Sequence, residues 1–282
     1  MRKLTCIMSG LLLTACMTKL FYQRLDWFIG WRLHDYVTLN DAQDARFKGT
    51  FAALWAWHRT RELPRYAGDL REIAAKIDSR VTLTPDQIGA YSARFQTHWE
   101  ELMSRTVDAM CDIARTLSDA QVRDILEGVD KKTAEFAKEY VAPPESELRT
   151  KAKKRTKKWI TRWTGPLNSA QETMLDGWAA RRHAMGKAWL DQRKVWREQL
   201  AAALKERAAS PNCNAFRPLF VTPMAQLDAS VSGDFDYNQQ QWNHLVAEIL
   251  AGADEPQLRR ASSELREMAQ QLDELAVAGK GG

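Results

Sequence analysis

His58 and Glu62 stand four residues apart in a stretch of helical character, a spacing that puts an imidazole and a carboxylate on one face, within reach of one metal ion. A metal site needs three or four ligands, and no His-Glu-x-x-His or Cys-x-x-Cys spacing supplies the others. His34, His98, His183 and His244 are scattered, no Gly-x-Ser-x-Gly elbow is present, and no glycine-rich phosphate loop follows a strand. The bland reading of the His58–Glu62 pair is a helix-surface ion pair or hydrogen bond. The expectation is a protein that is not an enzyme and carries no cofactor or metal, with a metal-dependent enzyme centred on His58 as an alternative.

Thiols offer the other chemistry. A bond between Cys111 and Cys213 would close a loop of about 100 residues, worth roughly 4–5 kcal/mol in the chain-entropy model, provided the compartment is oxidising. The alternative is two separate buried thiols, since cysteine packs as a small hydrophobe. Met1-Arg2-Lys3 followed by the mostly apolar run Leu4 to Leu13 has the form of a cleaved secretion signal, too short for a helix that needs roughly 20 apolar residues to span a bilayer. Leu13-Thr14-Ala15-Cys16 then resembles the bacterial lipobox, matching at all four positions. That resemblance implies diacylglycerol on the Cys16 sulfur, cleavage before it and acylation of the new amino terminus. Met17, where aspartate would direct retention, implies sorting to the outer membrane. Buried methylenes contribute about 0.8 kcal/mol each, so two or more acyl chains hold a protein stably. Cys6 falls in the discarded signal.

The elements that must position these residues announce themselves by their first turns. Asn40 with Gln43, Thr84 with Gln87, Ser118 with Gln121 and Asn168 with Gln171 each form the capping-box pattern that satisfies two orphan amides at a helix start. Leu83 with Ile88 and Leu117 with Val122 are candidate hydrophobic staples. Further helices begin at Pro64 and Pro256. The stripes Ile88, Tyr91, Phe95, Leu102 and Val122, Ile125, Val129, Phe136, Tyr140 repeat at threes and fours. A third stripe, with Trp178, Met185, Trp189, Trp196, Leu200 and Leu204, continues the helix opened at Asn168 as far as Ser210-Pro211-Asn212 and predicts one helix of nearly 40 residues. No segment reads as a strand with its turn. The fold class is therefore all-α, a bundle of long amphipathic helices with no sheet: a signal at 1–15, a helical region at 16–142 and a second at 143–282 packed with it as one body. Pro143-Pro144 and the stretch from Ser210 to Phe235 interrupt the helices.

Charge is local. Without residues 1–15 the chain carries 39 bases against 36 acids, while residues 145–163 alone hold eight bases and two acids. On a helical wheel, Leu148, Ala152, Thr156, Trp159, Ile160 and Trp163 separate from Lys153, Lys154, Arg155, Lys157, Lys158 and the other cations. A basic amphipathic helix of this kind suits a membrane surface or an acidic partner, its bland reading being a solvated outer face. Trp27 and Trp31, one turn apart soon after Cys16, are candidates for lipid headgroup contact, or else core. A periplasmic address removes nucleic acid as a partner.

The N-terminal third resembles an uncharacterised family of Gram-negative lipoproteins, a domain of unknown function. The likeness rests on the lipobox, Leu25-Asp26-Trp27, Asp35-Tyr36, and Trp57-His58-Arg59 leading to Glu62-Leu63-Pro64-Arg65-Tyr66-Ala67. It implies a lipid-anchored periplasmic protein and brings no activity with it. The leading expectation is a noncatalytic interaction or scaffold protein at the outer membrane, bound to the membrane through Cys16 and to an unidentified periplasmic or outer-membrane protein. The capped helices are also similar to those of the membrane-anchored lipase foldases, implying a chaperone-like helical clamp, although that family's functional motif has no match here.

Overall fold

Each of the four capping boxes forms with both of its bonds in the computed structural model, which describes Tyr22 and residues 25–209, 213–223, 227 and 229–278. Cys16 and the signal lie outside the described residues. The chain runs through α1 (Leu25–His34), α2 (Asp41–Trp57), a π-helical turn (His58–Glu62), α3 (Leu63–Asp78), α4 (Pro85–Ala114), α5 (Asp119–Tyr140) and α6 (Glu145–Thr164). It continues as α7 (Ser169–Arg181), α8 (Gly186–Lys205), the short α9 (Arg217–Phe220), α10 (Ala229–Ala251) and α11 (Glu255–Ala278). The protein is all-α, with no strand among the described residues.

The capping glutamines also join the helices to one another. Gln43 and Gln121 exchange reciprocal amide bonds of 3.0 and 2.7 Å, and each also donates to a carbonyl before the other's helix, Thr116 and Thr38. The same clasp recurs between Gln171 and Gln257, at 3.0 and 2.9 Å, with donations to Ile249 and Pro166. Gln257 belongs to a fifth capping box, on Asp254, that opens α11. Two pairs of helix starts, α2 with α5 and α7 with α11, are therefore fastened by the same device.

One core lies where α4, α5, α8 and α9 meet, around Val107, Leu117, Leu200, Leu204, Phe216 and Leu219. Cys111 and Cys213 form a disulfide inside it, with their Cα atoms 5.9 Å apart. The second half of the bundle is organised by α11, which packs along α3 and also meets α6, while α10 lies between α4 and α7. Helices from both sides of residue 143 thus share one body.

Two expectations are corrected. The predicted helix from Trp178 to Leu204 is two helices, because Arg182 turns extended and Gly186 lets α8 start against the Tyr140 carbonyl, where a β-carbon would not fit. The irregular stretch expected to reach Phe235 ends earlier, since α10 begins at Ala229. Pro64 does open α3, but α3 follows α2 without a break: the intervening turn widens to a π-helix, which accommodates a ring that can neither donate nor tolerate a close carbonyl behind it.

Candidate functional site

Between α3, α4, α6, α10 and α11 lies a cavity of about 750 Å³, within the range usual for small-ligand sites. Its walls are almost wholly apolar: Leu70, Ile73 and Ile77 of α3, Ile88 and Leu102 of α4, Val246, Ile249 and Leu250 of α10, and Leu265, Met268 and Leu272 of α11. The reason is visible between α3 and α4. These helices are held apart by a ladder of long polar side chains: Tyr91 on Glu72, Arg94 on Asp69 and Glu72, His98 on Asp69, and Arg65 on Glu62 and Glu101. Spacers of that length leave the apolar stripes behind them without a partner to fill the space.

The cavity has one polar end. His58, Tyr66 and His98 line it, and their rings form part of a file that runs from Trp55 through His58 and Tyr66 to His98 and Phe95, each neighbour 4.9–6.1 Å from the next. His58 accepts or shares a hydrogen bond with the Tyr22 hydroxyl at 2.9 Å, and burial pushes its pKa down to about 4, so the ring is neutral. Burial also raises the Tyr66 hydroxyl to about 12 and the Tyr22 hydroxyl higher still. Behind this end, His98 is held through Nε2 by Asp69 at 2.7 Å, while its Nδ1 faces Glu62 Oε2 at 3.7 Å, beyond hydrogen-bonding distance. Both of those facing atoms are buried and lack a hydrogen-bond partner among the described residues, as does the indole Nε1 of Trp163 in the cavity wall.

This geometry limits the chemistry. Asp69 and His98 form an oriented carboxylate–imidazole pair, but the aliphatic hydroxyls that also line the cavity, Ser92 and Thr164, bond to the Ile88 and Ile160 carbonyls of their own helices. His98 meets its two carboxylates through different nitrogens, so they share no common point, and no group of three or more His, Cys, Asp or Glu among the described residues is placed to hold a metal. His58 and Glu62 are not the helix-surface pair the bland reading supposed. Both are buried, and the π turn that carries them sets them on different neighbours, Tyr22 and Arg65.

The remaining sequence candidates are dispersed. Trp31 is exposed on α1 and contacts Phe28, while the side chain of Trp27 lies outside the described part. Lys153 and Lys157 are tied to Asp176 and Glu172 of α7, so they are inter-helix pairs rather than free cations. Arg155 lies on Tyr140, and Lys154 and Lys158 project from α6 with no carboxylate partner among the described residues. Trp159, assigned to the buried side of that helix, is half exposed at 50%. It lines the cavity, as do Trp99 (50%) and Phe95 (38%) of α4, so these three rings stand at the mouth. The cavity itself was missed by sequence reasoning; the only signal for it was the aromatic excess on faces already assigned to core.

Fold and site together define a helical bundle that encloses an apolar cavity with one buried polar end. The chain belongs to DUF6279, a family of unknown function, whose model matches residues 35–225. That span holds Asp35-Tyr36 and the Trp57 to Ala67 cluster, but not Cys16. No curated protein and no solved structure matches the chain.

Proposed function

We propose that this is a lipid-anchored, noncatalytic binding protein on the periplasmic face of the outer membrane, which takes an apolar ligand into the cavity walled by α3, α4, α6, α10 and α11. The observation that carries the reading is the cavity: about 750 Å³ lined almost entirely by aliphatic and aromatic side chains. Ten methylenes buried there would contribute about 8 kcal/mol at ~0.8 kcal/mol each, a gross term that ordering costs reduce but need not cancel. The anchor is supported by the match to the lipobox at Cys16 and the secretion signal before it. The absence of a nucleophile beside His98 among the described residues favours holding a ligand over transforming one. A protein partner at the outer membrane would then be one that delivers or receives this ligand.

Titration of the purified full chain with an environment-sensitive fluorescent fatty acid tests the reading. Saturable binding is expected, displaced by unlabelled long-chain lipid and weakened at least tenfold by Val246→Phe, which projects a ring into the cavity from α10. Binding that is absent, or indifferent to Val246→Phe in a chain that keeps its helical circular dichroism, would overturn it.

A further inference from the structure

The mouth of the cavity has a chemistry distinct from its walls. Phe95 and Trp99 lie one turn apart on α4 and Trp159 faces them from α6, three aromatic rings that line the cavity and are also open to solvent. Exposed clusters of large apolar rings on a soluble surface mark contact sites, and tryptophan in particular suits the boundary between headgroups and acyl chains. The charge beside them is one-sided. Arg162 is a helical neighbour of Trp159, three residues after it, and Lys158 adjoins it, whereas Arg155 lies on Tyr140 and lines a separate pocket with Glu139 and Arg182. Lys158 and Arg162 are exposed; Arg162 lies over the ring of Trp163, and no carboxylate among the described residues pairs with either. Of the other cations on the helix, Lys153 and Lys157 are neutralised by α7 and Arg149 and Lys151 by Glu145 and Glu147, while Lys154 also has no carboxylate partner among the described residues. On the opposite rim, Arg94 is paired with Asp69 and Glu72 and Glu101 with Arg65, and Glu100 beside Trp99 is the opposing charge, outweighed by Lys158 and Arg162.

From this arrangement we infer that the mouth docks on an anionic lipid surface, with Phe95, Trp99 and Trp159 in the headgroup layer and Lys158 and Arg162 on lipid phosphates. The occupant is a lipid leaflet because rings and unpaired cations occur together: the rings alone would suit a protein, whereas rings flanked by cations match both layers of an anionic leaflet. The ligand proposed above would then be an acyl chain that enters the cavity directly from the leaflet without crossing water. This second statement rests on the binding reading; the docking does not.

Reconstitution of the full chain in vesicles of phosphatidylethanolamine and phosphatidylglycerol, with bromine on the acyl chains as a contact quencher of tryptophan, tests the docking. The wild-type chain is expected to show quenching that Trp99→Phe/Trp159→Phe largely removes, that Trp27→Phe/Trp31→Phe leaves in place, and that falls with Lys158→Glu/Arg162→Glu or in vesicles of phosphatidylcholine alone. Circular dichroism of each variant checks that the helices persist. Quenching unchanged in Trp99→Phe/Trp159→Phe, or unaffected by charge reversal, overturns the inference, as does burial of both tryptophans in a self-associated form or against a protein partner. Val246→Phe separates the two proposals. If only docking is right, its quenching equals that of wild type while no chain binds fatty acid; if only binding is right, fatty acid binds without quenching at the mouth.

Discussion

Replacing Gln171 with methionine keeps the length of the side chain and removes its hydrogen bonds. Gln171 is wholly buried and its side chain takes part in five bonds: its oxygen accepts from the Asn168 amide at 3.0 Å and from Gln257, and its nitrogen donates to the Ile249 carbonyl at 3.1 Å, to the Gly252 carbonyl at 3.5 Å and to Gln257. The substitution strands the Asn168 amide and the Ile249 carbonyl and leaves Gln257 with half its partners. At ~1–3 kcal/mol for each stranded buried group, the loss should be about 3–5 kcal/mol. Gln87 offers the control, because its capping box has no partner across the bundle and Gln87→Met should cost only the ~1 kcal/mol of an ordinary cap. Urea unfolding followed by circular dichroism reads these differences as shifts in midpoint at constant slope. Gln171→Met and Gln257→Met remove one shared clasp, so the double variant should lose about 1–3 kcal/mol less than the sum of the singles. Additivity within ~0.5 kcal/mol, or a Gln171→Met cost no larger than that of Gln87→Met, would refute the clasp as a unit.

Other expectations follow from single features. Burial holds His58 at about 4 against 6.5 in the unfolded chain, so the unfolded state binds the extra proton between those values; stability should fall by about 2 kcal/mol from pH 7 to pH 5, and His58→Phe should flatten that dependence in thermal melts. Removing the Cys111–Cys213 bond by Cys111→Ser/Cys213→Ser opens a loop spanning 102 residues and should lower stability by about 4.7 kcal/mol in the chain-entropy model, read by denaturant midpoint against the oxidised chain. Gly186→Ala places a β-carbon against the Tyr140 carbonyl and should destabilise by ~1–3 kcal/mol or more, whereas Gly68→Ala, with open space around it, should be neutral or slightly stabilising.

The helices were legible because their signals are local. Asn40, Thr84, Ser118 and Asn168 cap where their spacing to glutamine places them, and Leu83 and Ile88 share one apolar cluster as a staple should. What those glutamines do beyond their own helix was not legible, because the Gln43–Gln121 and Gln171–Gln257 clasps span 78 and 86 residues and nothing local distinguishes them from Gln87. The break at Arg182 escaped notice because the apolar period resumes in phase after it. The π turn at His58 escaped notice because a four-residue spacing presumes the ordinary helical period. The cavity was hidden for a related reason. Ile88, Tyr91, Phe95 and Leu102 read as a buried face, yet a stripe carries no information on how far away its partner stands. That distance is set by the Arg94, His98 and Arg65 ladder across α3 and α4. The opposite holds for Lys153 and Lys157, whose wheel positions were right and whose acidic partners come from the next helix.

The most direct test of the cavity's role needs no chosen probe. The full chain, extracted from bacterial membranes in mild detergent and examined by native mass spectrometry, should retain an apolar small molecule in a one-to-one ratio, recoverable by solvent extraction and lost from Val246→Phe. A wild-type chain that carries no such molecule, or a Val246→Phe chain that carries as much as wild type, would contradict the account.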